Sequence, residues 1–294
     1  VTPTLPAGRP AGLDAAEARW LAWHEAYSHG LVGREVRQLG DAVMLHDPVD
    51  HEPFWNRVAG IAWPDEAGAF DRRLAELLVL FASLDRIPHV WPLPGYDEPA
   101  DLTARLVSHG FEDMGKGVLM AFDPGGSTGA PEPSTASRPV PGPGPAPKVR
   151  VERLHRTAGP TADEAARGIA LVLGEAFGVE PDRVAAIEQE TLVLLGMEEF
   201  HACLVTVDGE PAATARRTTF AGASYLSSIG TRPRHRGLGL GRFVTEAVLR
   251  DALNASSRWT YLGVFADNAV ARRMYEGLGF VPIGDPAPDL LLRK

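Results

Sequence analysis

The run Arg234-His235-Arg236-Gly237-Leu238-Gly239-Leu240-Gly241-Arg242 sets three glycines at alternate positions. Before it, Ser224-Tyr225-Leu226-Ser227-Ser228-Ile229-Gly230-Thr231 has the pattern of a β-strand. After it, Phe243, Val244, Ala247, Val248 and Ala252 fall at amphipathic helical spacing. The glycines therefore join a strand to a helix start. Without side chains, successive backbone N–H groups turn inward there. The helix N-terminus adds the positive end of its dipole. The combination is a receptor for a phosphate or pyrophosphate.

Spacing removes two owners of such a receptor. A dinucleotide-binding turn needs G-x-G-x-x-G, and the third glycine is misplaced. A Walker A loop needs Gly-Lys-Ser/Thr, which is missing from the run. What remains is Arg234-x-x-Gly237-x-Gly239. Downstream lies Asn268-x-x-Ala271-x-x-x-Tyr275-x-x-x-Gly279-Phe280. Both motifs, in this order, resemble the two acyl-CoA motifs of the GCN5-related N-acetyltransferases (GNAT). The resemblance covers 149–294 and is tightest over 224–281.

It implies an α/β fold with a mixed sheet, and acetyl-CoA as co-substrate. The backbone of Ile229 and Thr231 would pair with the pantetheine arm, on a strand that splays from its neighbour. Gly237, Leu238, Gly239, Leu240 and Gly241 would cradle the pyrophosphate, with Arg236 and Arg242 offsetting phosphate charge. Tyr275 would be the general acid for the departing thiolate. Asn268 and Tyr275 are seven residues apart and share one helix face. Asn268 is open to two readings, a contact to the pantetheine arm or a helix N-cap. The base is unassigned. No glutamate occurs in 224–231, and Glu198, Glu199, His201 and Glu210 read as strand-end or turn residues. The acceptor pocket would involve 175–197. Its implied occupant is an amine of a small molecule, acetylated directly in a ternary complex. A non-catalytic acyl-CoA-binding module and a transferase of a longer acyl chain stay open beside this.

The 294 residues allow about two domains. Residues 124–148 divide them, with eight prolines and five glycines in 124–147; such a stretch cannot bury a core and reads as a linker. The division expected is thus 1–123, a linker over 124–148, and 149–294. In the first half, helices are expected at 14–29, 66–84 and 99–108, and strands at 42–46, 55–63, 89–93 and 117–122. Trp20, Leu21, Trp23 and Tyr27 are the expected buried face of the first helix. His109-Gly110-Phe111 repeats the ending Leu278-Gly279-Phe280, yet Asp65-Glu66-Ala67-Gly68 stands where a glycine loop would be. The first half therefore reads as a second, degenerate GNAT-like domain, with an unrelated α/β domain as the alternative. In the second half, Thr161-x-x-Glu164 reads as a capping box opening a helix.

The net charge of −9 argues against a nucleic-acid partner held by bulk charge. The longest apolar runs fall short of a membrane span, and the reading is a cytoplasmic protein without a membrane partner. A homodimer stays open. The single Cys203 lies in an apolar strand and reads as core. His46-Asp47-Pro48-Val49-Asp50-His51 has metal-ligand types but no second cluster to complete a site, so no metal is expected.

Overall fold

In the computed structural model the described residues are 13–124 and 147–293. Most of the linker expectation lies outside them. In chain order the elements are α1 (Ala15–Gly30), β1 (Glu35–Gln38), β2 (Val43–His46), β3 (Arg57–Ala59), α2 (Ala67–Ser83), β4 (His89–Trp91), α3 (Leu102–Ser108) and β5 (Glu112–Phe122). They continue with β6 (Val149–His155), α4 (Pro160–Phe177), α5 (Pro181–Leu195), β7 (Phe200–Val207), β8 (Glu210–Phe220) and β9 (Ala223–Thr231). Last come α6 (Leu240–Asn254), β10 (Trp259–Phe265), α7 (Ala269–Glu276), β11 (Phe280–Pro282) and β12 (Ala287–Leu291). The mixed α/β architecture agrees with the sequence reading. No helix among the described residues is long and apolar enough to cross a membrane.

By packing, the chain forms two compact units, Val1–Gly126 with Gly263–Lys294, and Ser127–Leu262. The sequence divides it at the proline-rich stretch, whereas the last residues pack with the first half. No local pattern reveals this, because β12 reads as an ordinary strand whichever sheet receives it.

In the first unit the strand order is β1-β2-β3-β4-β12-β5, with β11 also on β5. β3 and β4 run parallel, and β12 enters antiparallel to both β4 and β5. Helix α2 closes the core with Phe70, Leu74, Leu77 and Phe81, against Val58, Val90, Leu106 and Leu290. The expected face of α1 is corrected. Its buried residues include Leu21 but also His24, Glu25 and Ser28, while Tyr27 is exposed and Trp20 and Trp23 are half-buried. The reason is a buried ion pair. Arg57 donates to both carboxylate oxygens of Glu25 at 2.6 and 2.7 Å, and its guanidinium lies 4.1 Å from the Trp91 ring centroid. A charge so satisfied can occupy a core position that composition would give to tryptophan.

In the second unit the order is β10-β9-β8-β7-β6, antiparallel except for β9 and β10. Both hairpin turns have two left-handed residues, Asp208-Gly209 and Ala221-Gly222, which matches the twist of the strands they join. Helix α4 packs closely on one face: a Cβ added at Gly168 would meet Leu204 at 3.1 Å. The α4 start is also corrected. Gly159, at φ 68°, is the N-cap without a side-chain cap, and Pro160 opens the helix. Proline at the first helical position is already set for the helix, so the capping box at Thr161 is not used.

Candidate functional site

Strand β9 is paired on both sides only over its first half. Its register with β10 runs from Ala223↔Trp259 to Leu226↔Leu262. Its register with β8 continues to Thr231↔Ala213, with a shift near Arg216 and Thr214. The shift is a β-bulge, and Ser228 carries it at φ 50°. Beyond the bulge, Arg232 N–H donates to the Ala212 carbonyl at 2.9 Å. In an antiparallel ladder the hydrogen-bonded residues alternate. Gly230 and Arg232 therefore face β8, and Ile229 and Thr231 turn their N–H and C=O to the other edge. Among the described residues, no strand is in register with that edge over 227–231.

The end of β9 is clamped. The buried Arg232 binds Glu175 of α4 through Nε at 2.9 Å and through a second, shorter contact, and donates to the Pro211 carbonyl at 2.9 Å. The hydrogen bond from Arg232 holds the Glu175 carboxyl below its usual range. Gly230 lets α4 approach, since an added Cβ would lie 3.1 Å from that of Ala176.

The chain then makes a short 3-10 turn, Pro233–His235, and enters the glycine loop. Gly237 and Gly239 sit at φ 80° and 74°, and an added Cβ at either meets nothing within 4 Å. Backbone conformation rather than crowding selects glycine here, and the space before the loop is open. Gly239 is the N-cap of α6 and no side chain caps the helix. Its first N–H groups are thus left for another acceptor. Leu238 is exposed, Leu240 is buried, and Gly241 already belongs to the helix.

The loop arginines have protein partners. Arg234 pairs with Glu210. Arg236 donates to the Ala176 carbonyl at 3.1 Å and the Thr231 carbonyl at 3.4 Å. Arg242 reaches Glu246, one helical turn on, at 2.7 Å. All three are exposed.

Asn268 and Tyr275 belong to the other compact unit. Asn268 is the N-cap of α7, its side chain accepting from Ala271 N–H at 3.1 Å. Tyr275 is 5% exposed and meets Phe280 edge-on at 6.1 Å. Burial pushes its phenol up to about 12. It therefore keeps its proton through the neutral range.

The groups weighed as bases lie off β9. Glu210 is the first residue of β8 and pairs with Arg234. His201 stacks on His155 at 3.9 Å, and burial, with Arg217 and His155, lowers its pKa to about 4. Cys203 is fully buried, and burial pushes its thiol up to about 11, which makes it inert. In the His46–Asp50 run, His46 Nδ1 pairs with Asn56 at 2.8 Å and Asp47 takes Arg34 at 2.9 Å. Three features escaped sequence reasoning: the Ser228 bulge, the Glu175–Arg232 clamp and the burial of Arg216. The last had a visible signal, two adjacent arginines inside an apolar strand.

Residues 172–280 match the profile of the Acetyltransferase (GNAT) family. Residues 172–280 are a GNAT-family domain. The chain is 41% identical over 73 residues to mycothiol acetyltransferase of Nocardiopsis dassonvillei, covering 25% of this chain and 19% of that protein. It is 40% identical over 72 residues to N-alpha-acetyltransferase 40 of Saccharomyces cerevisiae, covering 22% of this chain and 25% of that protein. The match thus spans a quarter or less of these curated relatives. Among solved structures, a GCN5-related N-acetyltransferase from Kribbella flavida is similar at a TM-score of 0.64 and 23% identity, covering 94% of this chain and 96% of that one. A tandem GNAT protein from the clavulanic acid biosynthesis pathway is similar at 0.57 and 14%, covering 95% and 96%. These two likenesses extend the shared fold over both halves of the chain.

Proposed function

We propose that this chain is an N-acetyltransferase that moves the acetyl group of acetyl-CoA onto an amine of a small molecule, by direct transfer in a ternary complex. The observation that carries this reading is the unpaired edge of β9 followed, after the short turn Pro233–His235, by the open glycine loop. Ile229 and Thr231 offer strand-like hydrogen bonds to the pantetheine amides. The N–H groups at Gly237 to Gly241, with the α6 dipole, receive the pyrophosphate. Arg236 and Arg242 stand at the rim and can exchange a protein acceptor for a phosphate oxygen. Asn268, already an N-cap, caps α7 at the second motif.

The amine attacks the thioester carbonyl, a C–N bond forms, and the C–S bond breaks. The Ile229 N–H at the open edge is the candidate donor to the developing oxyanion. Tyr275, protonated at neutral pH, gives its proton to the departing thiolate. The nitrogen that became cationic in the tetrahedral intermediate loses one to solvent to leave the amide, and the phenolate regains a proton from solvent. The test mixes the full chain, acetyl-CoA and a panel of small amines while free thiol is followed. Thiol release that requires an amine is the expected result. Tight acetyl-CoA binding with no release for any amine would favour a non-catalytic acyl-CoA-binding module instead.

A further inference from the structure

Strand β8 places Arg216 directly opposite Ala202 of β7 and Ser227 of β9. That is one residue before the Ser228 bulge, on the sheet face covered by α4 and α5. The side chain is 7% exposed. Nη2 donates to Thr191 Oγ1 on α5, and that hydroxyl is itself committed to the Ile187 carbonyl at 2.5 Å. Phe200 lies under the guanidinium, 5.9 Å from ring centroid to carbon. Nε is buried and has no acceptor. Among the described residues, Arg216 has no ion pair.

The other deeply buried arginines show what is missing. Arg57 has both oxygens of Glu25, Arg34 has Asp47, and Arg232 has Glu175. Arg86 has no carboxylate but gives hydrogen bonds to the Asp47 and Leu84 carbonyls and to Asn56. Arg217, on the opposite face, has no ion pair among the described residues either: it donates to Thr219 Oγ1 at 2.6 Å, its buried Nε has no acceptor, and burial lowers its pKa against the charge of Asp251. Arg216 has one neutral hydroxyl, and only the more distant charge of Glu190 favours its protonated form. Burial lowers its pKa to about 10, so it is still a cation at neutral pH. A buried cation this poorly satisfied costs stability. Arg216 and Arg217 are thus both left with one neutral hydroxyl and a buried Nε without an acceptor, and of the two it is Arg216 that faces the α4–α5 side of the sheet.

We infer that Arg216 is the seat for the carboxylate of the acceptor, which makes the substrate class a small molecule carrying both an amine and a carboxylate. This rests on the transferase reading. The planar guanidinium has Nε and a second N–H edge left over, a match for two coplanar oxygens. One positive charge neutralises a monoanionic carboxylate, whereas a phosphate dianion would leave excess charge buried. Position agrees. Thr191 lies in the 175–197 segment where the acceptor is expected, and directly opposed residues on neighbouring strands stand only about 5 Å apart. A carboxylate at Arg216 therefore leaves the amine of a short molecule beside the bulge and the open edge.

The experiment uses the full chain, the twenty amino acids and their carboxamides. Melting is followed with each compound at millimolar concentration, and thiol release is followed with acetyl-CoA. The expected result is that at least one amino acid raises the melting temperature and its carboxamide does not. That acid should exceed its amide at least tenfold in kcat/KM. Arg216→Met should melt no lower than wild type without ligand, lose the ligand-induced shift, and lose the acid-over-amide preference. Arg216→Lys should keep part of the shift. An acid-specific shift with no thiol release would keep the carboxylate seat and sink the transferase reading. Thiol release that treats acid and amide alike would do the reverse. Equal ligand shifts in wild type and Arg216→Met, or no acid-specific shift in wild type, would overturn the assignment of Arg216.

Discussion

Tyr275 and Gly239 carry the residue-scale consequences. Tyr275 is buried, and burial alone raises its phenol to about 12. Tyr275→Phe should lower kcat by about 100-fold or more, within the usual contribution of a general acid, and leave acetyl-CoA affinity unchanged. Steady-state thiol release and calorimetric titration separate the two, and an unaltered kcat would remove the acid role. The same shift predicts a pH profile with no loss from phenol ionisation at pH 10, where an ordinary tyrosine is half ionised. Gly239 holds φ 74° in open space. Gly239→Ala should cost about 1–2 kcal/mol in urea unfolding through the left-handed backbone alone. It should also weaken acetyl-CoA binding, because the new methyl group stands before the loop N–H groups. Both motif residues were legible from spacing. Arg216 was not, since its lack of partners is a property of three strands and a helix meeting.

Two helix N-termini make the contrast at the scale of elements. Helix α6 begins at Gly239 with no side-chain cap. Helix α2 begins after Glu66, whose carboxylate accepts from Gly68 N–H at 2.9 Å and Ala69 N–H at 2.6 Å. Those backbone bonds hold the Glu66 carboxyl below its usual range. The first unit thus fills with its own anion the place that α6 leaves open, and adds a negative charge where a phosphate would come. Calorimetric titration should give one acetyl-CoA per chain, and Gly239→Ala should reduce that one event. Two equivalent sites would contradict the contrast. The sequence showed the missing glycines of the first half. It did not show that Glu66 turns back as a cap, because that depends on the side-chain rotamer and not on the residue's position before the helix.

At the scale of the whole molecule, acid stability tests the buried charge of the first unit. Burial raises the Glu25 carboxyl, and Arg57 and His29 more than reverse this, leaving it at about 2 against an ordinary 4.5. A lowered folded-state pKa contributes stability that is present above pH 4.5 and lost as the pH falls toward 2. The loss amounts to about 3 kcal/mol. Urea unfolding at pH 7 and pH 3 should show about 2 kcal/mol of it, since the folded-state carboxyl is still mostly ionised at pH 3. Glu25→Gln should flatten that dependence. It should also be less stable at pH 7 by about 3–5 kcal/mol, since Arg57 would stay buried without its counter-charge. A pH dependence identical in the variant would place the acid sensitivity elsewhere.

By itself the sequence determined the resemblance of the second half to the GNAT family, the strand–loop–helix around 234–242, the second motif and most elements, because these depend on local spacing and backbone preference. Glycines at alternate positions and apolar residues at helical intervals act over a few residues, and a reader of the chain sees the same few residues. The tertiary structure alone decided which sheet receives β12, where β9 loses its neighbour, and which arginines find a carboxylate. Each of those is set by pairing between segments far apart in the chain, where burial and charge are properties of the assembled neighbours. The glycine loop is therefore readable from its own residues, whereas the open edge that leads into it exists only once β9 and β10 have been placed.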